Sequence, residues 1–112
     1  MNIIFKGSRL RKLANNRSLL IRKLGPEMAQ VFGRRLDQLL AAETLDDLPK
    51  IGRGRCHELK GNRAGTLSVD LVHPQRLIFE PADDPVPRRD DGGLDWGRVT
   101  AIRILEVADT HE

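Results

Sequence analysis

Between Arg55 and Phe79 the chain reads RCHELKGNRAGTLSVDLVHPQRLIF, and this stretch restricts the fold more than any other. Leu67, Val69 and Leu71 alternate with Thr66, Ser68 and Asp70, and Leu77 and Phe79 alternate with Arg76, Ile78 and Glu80. A period of two marks strands with one buried face. Two turns separate them. In Gly61-Asn62-Arg63-Ala64-Gly65 a pair of glycines supplies positive φ without steric cost. In His73-Pro74-Gln75 the proline fixes φ and ends a strand. The spacing predicts a three-strand antiparallel meander whose turns and non-core positions carry Lys60, Arg63, His73 and Arg76. Asp70 and Arg76 become cross-strand neighbours across the second turn, so an ion pair between them is the reading that competes with a phosphate-binding role for Arg76.

The flanking segments supply the rest of an α+β domain. Residues 2–6 form a short apolar run suited to a first strand, and Ser8 is placed to cap the helix after it. Leu10, Leu13, Leu20 and Leu24 lie at broadly helical spacing, with Asn15-Asn16 interrupting them. Gly25-Pro26 ends this helix and opens a second, which runs to about Ala42 with Met28, Val31, Phe32, Leu36, Leu39 and Leu40 on its apolar face. The remaining face of this helical hairpin is basic: Arg9, Lys12, Arg17, Arg22, Lys23, Arg34 and Arg35. Leu45 and Leu48 are expected to tuck under the sheet. Lys50-Ile51-Gly52-Arg53-Gly54-Arg55 is a basic connector that matches no phosphate-loop motif, and it reads as a loop before it reads as a phosphate contact. Residues 81–98 hold three prolines, three glycines and several Asp, which makes them a long loop, with Trp96 anchoring its return to the core. Val99–Val107 is a β-rich run without turn residues and predicts a buried central strand. The sum is one domain over residues 1–112, a two-helix hairpin packed on a twisted, mainly antiparallel sheet of about five strands.

Charge is distributed unevenly. Fourteen of the 19 Lys and Arg lie in residues 1–63, against six of the 16 Asp and Glu, and the first 25 residues carry seven cations and no acid. Such a half is read either as a solvated helix face or as a surface for a polyanion such as nucleic acid. The single cysteine, Cys56, has no disulfide or metal-ligand companion, suits a reducing compartment, and in mid-strand is expected to be a core residue. With no apolar run of membrane-spanning length and no signal-peptide pattern at the start, a cytoplasmic protein without membrane partners is expected.

Three motifs, in this order along nearly the whole chain, carry a family likeness. Leu59-Lys60-Gly61-Asn62-Arg63-Ala64-Gly65, Gln75-Arg76-Leu77-Ile78-Phe79 and Asp109-Thr110-His111 are similar to motifs of the RelE/ParE toxin superfamily, in particular its HigB branch of plasmid-maintenance killer proteins. The resemblance implies a RelE-like fold and the toxin of a type II toxin–antitoxin system, a ribosome-dependent mRNA endoribonuclease held inactive by a helix-turn-helix, HigA-like antitoxin. It implies no metal and no cofactor. Lys60 and Arg76 match phosphate-binding or transition-state positions, and His111 matches the terminal general acid. This is the chemistry that metal-free RNA cleavage needs: cations for the phosphorane and a proton for the leaving oxygen. Arg63, with Arg17 and Arg22 of the helical hairpin, is a candidate RNA contact. His57 and His73 match no motif and read as ordinary strand and turn histidines.

The chain departs from that pattern at two places. Asp70 stands where the HigB strand has an arginine, which puts negative charge where a substrate phosphate would lie. Thr110 stands where an aromatic is usual, removing a stacking platform for a base. These departures favour the alternative of a non-catalytic binding module of the same fold, acting on another target such as DNA gyrase or no longer toxic. A second alternative, independent of family, is a small RNA-binding protein that uses the basic hairpin.

Overall fold

The meander forms as the alternation requires. In the structure, a computed structural model that describes residues 1–110, β2 (Cys56–Glu58), β3 (Leu67–Asp70) and β4 (Gln75–Pro81) pair antiparallel in sequence order. Gly61 and Gly65 take the positive φ expected of them, 64° and 89°. The Val99–Val107 run becomes β5 (Ala101–Asp109), which pairs antiparallel with β4 and parallel with β1 (Asn2–Phe5). The sheet order is therefore β1-β5-β4-β3-β2, with β5 an interior strand. A bulge falls where Ile78 pairs with Glu106 but Phe79 pairs with Ile104, so Leu105 is the extra residue.

The helical layer differs from the expected hairpin in having three helices: α1 (Ser8–Asn15), α2 (Arg17–Leu24) and α3 (Pro26–Ala41). Asn16 causes the break. Its backbone is extended at φ −136°, and its side-chain Oδ1 accepts the Leu19 N–H at 3.0 Å, so it ends one helix and caps the next. Ser8 lies inside the first turn of α1, and Gly7 holds the cap position assigned to it from sequence. Gly25, at φ 85°, turns α2 into α3, and Pro26 occupies the first turn of the new helix.

One core joins the helices to one face of the sheet. Phe32 and Leu39 of α3 are fully buried with Leu67, Val69, Leu77, Phe79, Ile102 and Ile104, and Leu45 and Leu48 close the same core as expected. Leu40, assigned to the apolar face of the helix, is instead exposed, while its neighbour in the expected basic face, Arg35, is only 7% exposed. Cys56 is a core residue, and burial pushes its thiol up to about 12, which removes it as a nucleophile at neutral pH. Ser68 and Ile78, expected on the solvent side, are fully buried on the opposite face of the sheet, where their same-face neighbours include His57 and Glu106.

The loop before β5 is tied at both ends. Asp83 accepts Thr100 N–H and Oγ1–H at 3.1 and 2.7 Å and Ala101 N–H at 3.0 Å. Burial opposes the charge of Asp83, but these hydrogen bonds outweigh it and hold the carboxyl below its ordinary value. Trp96 Nε1 donates to Glu58 Oε2 at 3.0 Å, with Lys50 Nζ 5.1 Å from the ring centroid. The expected anchor thus binds strand β2 directly. Among the described residues no helix is long and apolar enough to cross a membrane.

Candidate functional site

On the face of the sheet turned away from the core, the register brings residues from β2, β3, β4 and the end of β5 together. Asp70 closes β3 and is the partner of Arg76 in β4, which in turn is the partner of Ala108 in β5. The competing ion pair forms, with Arg76 Nε 3.4 Å from Asp70 Oδ1. At that separation it is an ion pair rather than a hydrogen bond, and Asp70 Oδ1 is left without a hydrogen-bond donor. The Arg76 side chain is only 15% exposed. Its Nη1 lies 3.1 Å from His57 Nε2 and 3.0 Å from Thr110 Oγ1.

That contact fixes the state of His57. A guanidinium only donates, so Nε2 accepts and the proton sits on Nδ1. Burial lowers the His57 pKa from its ordinary value; Arg76 and Arg55 lower it further, against a smaller opposing pull from Asp70. His57 is therefore a neutral imidazole at neutral pH. Its Nδ1 and the Oγ of its register partner Ser68 are both buried without a hydrogen-bond partner.

Asp70 is surrounded by cations. Arg55 Nε is 3.5 Å from its Oδ2, and the buried Arg35 donates from Nε to its backbone carbonyl at 2.7 Å. Arg35 also donates to Gln38 Oε1 at 3.2 Å, and Gly54 packs against it so closely that a Cβ there would lie 2.7 Å from Cζ. Burial, then Arg34, lowers the Arg35 pKa, and Asp70 partly restores it. Around this cluster lies a cleft of about 680 Å³ between α3, the connector 52–55 and the turn 71–76. Five guanidiniums line it (Arg34, Arg35, Arg53, Arg55 and Arg76) against the carboxylates of Glu27 and Asp70. The repulsion of phosphate expected from Asp70 alone is therefore reversed by its surroundings: five positive charges face two negative ones.

The other residues singled out from sequence lie apart from this cluster. Lys60 is exposed at the head of the 3-10 turn Gly61–Arg63, and Arg63 Nη1 reaches Glu106 Oε2 at 3.7 Å. Both sit beyond the Leu67 end of β3, about 10 Å along the strand from the Asp70 end. Arg17 and Arg22 are exposed on α2, in the helical layer. His111 lies outside the described residues. The structure thus groups Arg76 with His57, Arg55 and Arg35, none of which the motifs had singled out as site residues. Among the described residues no three His, Cys, Asp or Glu are grouped closely enough to hold a metal ion.

No family model and no curated protein matches the chain. Solved structures do. The YoeB/ParE toxin from Agrobacterium tumefaciens is similar at a TM-score of 0.56 and 13% identity, over 99% of this chain and 100% of that one. A YoeB dimer from Staphylococcus aureus gives 0.53 and 19%, and the YoeB-YefM complex from the same organism 0.53 and 17%, each over 100% of this chain and 98% of theirs. At such identities the likeness is one of fold: three helices on a five-strand mixed sheet, the arrangement of YoeB/ParE-type toxins.

Proposed function

We propose that the chain is the toxin of a toxin–antitoxin system and that it cleaves mRNA, without a metal, at the sheet face turned away from the helices. The observation that carries the chemistry is the 3.1 Å contact between Arg76 Nη1 and a neutral His57 Nε2. An RNA phosphate entering the site competes for the Arg76 donors and releases the His57 lone pair. His57 then takes the proton of the 2′-OH as the new 2′-O–P bond forms. Arg76, with Arg55 beside it, meets the charge of the phosphorane. The P–O5′ bond breaks as O5′ receives a proton, for which His111 is the expected donor. The products are a 2′,3′-cyclic phosphate and a 5′-OH. Lys60, Arg63, Arg17 and Arg22 then serve as contacts to more distant phosphates.

The HigB-type motifs support a ribosome-bound mRNA as substrate, and the YoeB/ParE-type fold supports an antitoxin as partner. The sequence favours a helix-turn-helix, HigA-like antitoxin. The YefM of the Staphylococcus aureus complex is the other kind, and co-purification with the product of the adjacent gene distinguishes them.

Expression should arrest growth, with transcripts cut during translation at sites that primer extension maps. Arg76→Ala and His57→Phe should each abolish the cuts. Harmless expression with intact transcripts would overturn the nuclease and leave the second reading, a non-catalytic module acting on another target such as DNA gyrase. One observation favours that reading: Asp70 holds both Arg76 and Arg55, two guanidiniums that the phosphorane needs.

A further inference from the structure

The reacting centre shares the 680 Å³ cleft through Arg55 and Arg76, while His57 lies outside its lining. The rest of its lining, from α3 and residues 52–54 of the connector, has no part in that chemistry and still carries charge. Arg34 and Arg53 are both exposed, and neither has an ion-pair or hydrogen-bond partner among the described residues. Arg35, in the same lining, is already committed to the Asp70 carbonyl and Gln38.

The backbone of the connector is shaped for close approach. Gly52 and Gly54 both take positive φ, 78° and 73°. At Gly54 the backbone lies directly against the Arg35 guanidinium. At Gly52 a Cβ would meet nothing within 4 Å, so the connector is open there. Arg34 and Arg53 line the same cleft, and the lowering of the Arg35 pKa by Arg34 records repulsion among its cations that Asp70 only partly offsets. An anion bound between Arg34 and Arg53 relieves it.

We infer that the connector part of this cleft is a second phosphate site, in which Arg34 and Arg53 hold a backbone phosphodiester of the RNA next to the one that reacts at Arg76. The inference rests on the RNA reading above and adds a binding register to it. One strand would be held at two places, by Arg76 at the sheet and by Arg34 and Arg53 at the helix. Two points of attachment orient the scissile phosphate where one leaves it free to rotate.

Two measurements on the full chain test the site separately from the function. The first is fluorescence anisotropy with a labelled uridine dodecamer between 50 and 200 mM salt, comparing the wild type with the Arg34→Glu, Arg53→Glu double variant. Both side chains are exposed, so the fold should survive, as circular dichroism would verify. The variant should bind at least about tenfold more weakly at the lower salt. Its salt slope should be shallower by about 1.4, which is two contacts at roughly 0.7 each for a single strand. The second measurement is the response of the backbone amide resonances to inorganic pyrophosphate, which should shift Gly52 to Gly54 in the wild type and not in the variant. If the dodecamer binds both proteins with equal affinity and slope, the second site is wrong and the RNA reading stands. If pyrophosphate shifts the connector but the wild type does not bind the dodecamer, the oxyanion site stands and the RNA reading falls. No shift and no binding overturns both.

Discussion

Replacing Asp70 by Asn should move stability and RNA affinity in opposite directions. The Arg76–Asp70 pair, at 3.4 Å, has a gross attraction of about 5 kcal/mol at an effective dielectric of about 20. Most of that is offset by desolvation and side-chain ordering. Exposed pairs retain about 0–1 kcal/mol, whereas breaking a buried pair costs about 3–5 kcal/mol. With side chains 15% and 29% exposed, this pair falls between the two, and its loss should cost about 2 kcal/mol. The Arg55 contact, 46% exposed on the arginine side, adds a few tenths of a kcal/mol at most. At about 4 °C per kcal/mol for a chain of this size, Tm should fall by about 8 °C. The same change removes one of the two carboxylates of the cleft and frees Arg76 and Arg55. One charge about 6 Å from a bound phosphate, at an effective dielectric of about 40, is worth about 1.4 kcal/mol, so RNA should bind about tenfold more tightly. Thermal melts and dodecamer anisotropy in the same buffer read both quantities. An unchanged Tm would show that the pair is not formed in solution, and weaker RNA binding would show that Asp70 contributes to the site rather than restrains it. Asp70→Arg is a harsher change. It sets a fourth guanidinium among Arg35, Arg55 and Arg76 and should destabilise the fold further.

His57 should impose a pH dependence. Its folded pKa lies below the unfolded one, so its neutral form stabilises the fold fully above the ordinary value of 6.5, and that contribution is lost as pH falls toward the depressed value. Tm should drop below pH 6.5 in the wild type more steeply than in His57→Gln, and RNA cleavage should show an acid limb in the same range. Gly54→Ala drives a Cβ into the Arg35 guanidinium at a backbone φ of 73° and should cost about 1–3 kcal/mol, seen as a fall in Tm. Arg17→Glu with Arg22→Glu changes only exposed side chains of α2; Tm should stay within about 2 °C while RNA affinity and its salt dependence decrease.

The meander was legible because its information is local. Alternation sets each strand's buried face, and the glycines at 61 and 65 mark the one turn geometry that suits them. The Asp70–Arg76 pair was legible for the same reason, since the turn of residues 71–74 fixes its register. Two features were not. Arg34 and Arg35 are adjacent in sequence and equally basic, yet one points to solvent and the other is buried beneath the end of β3; the sequence carries no sign of which, because the choice depends on how α3 lies against the sheet. His57 has an unremarkable setting in sequence. Its state comes first from burial and then from Arg76, 19 residues away, and both exist only once β2, β3 and β4 are in register; Arg55, two residues before it, adds a local contribution. Asn16 falls between these cases: the Asn pair marked an interruption, but only the extended backbone with its capping bond turns one helix into two.

The place of β5 also sets the order in which this chain can assemble. Among the described strands it is the last to be synthesised, yet it lies between β1, the earliest of them, and β4. Until it arrives, the meander can pair only with itself, and β1 has no strand to join. The pairing of Asn2 with Ala101 closes a loop of nearly the whole described chain, the kind of distant contact that makes folding slow. Until β5 is made, the edges of β1 and β4 that it will join stay unpaired and the core stays open, and the arginine–histidine cluster stays incomplete because Thr110 follows that strand. Synthesis itself thus delays completion of the cluster.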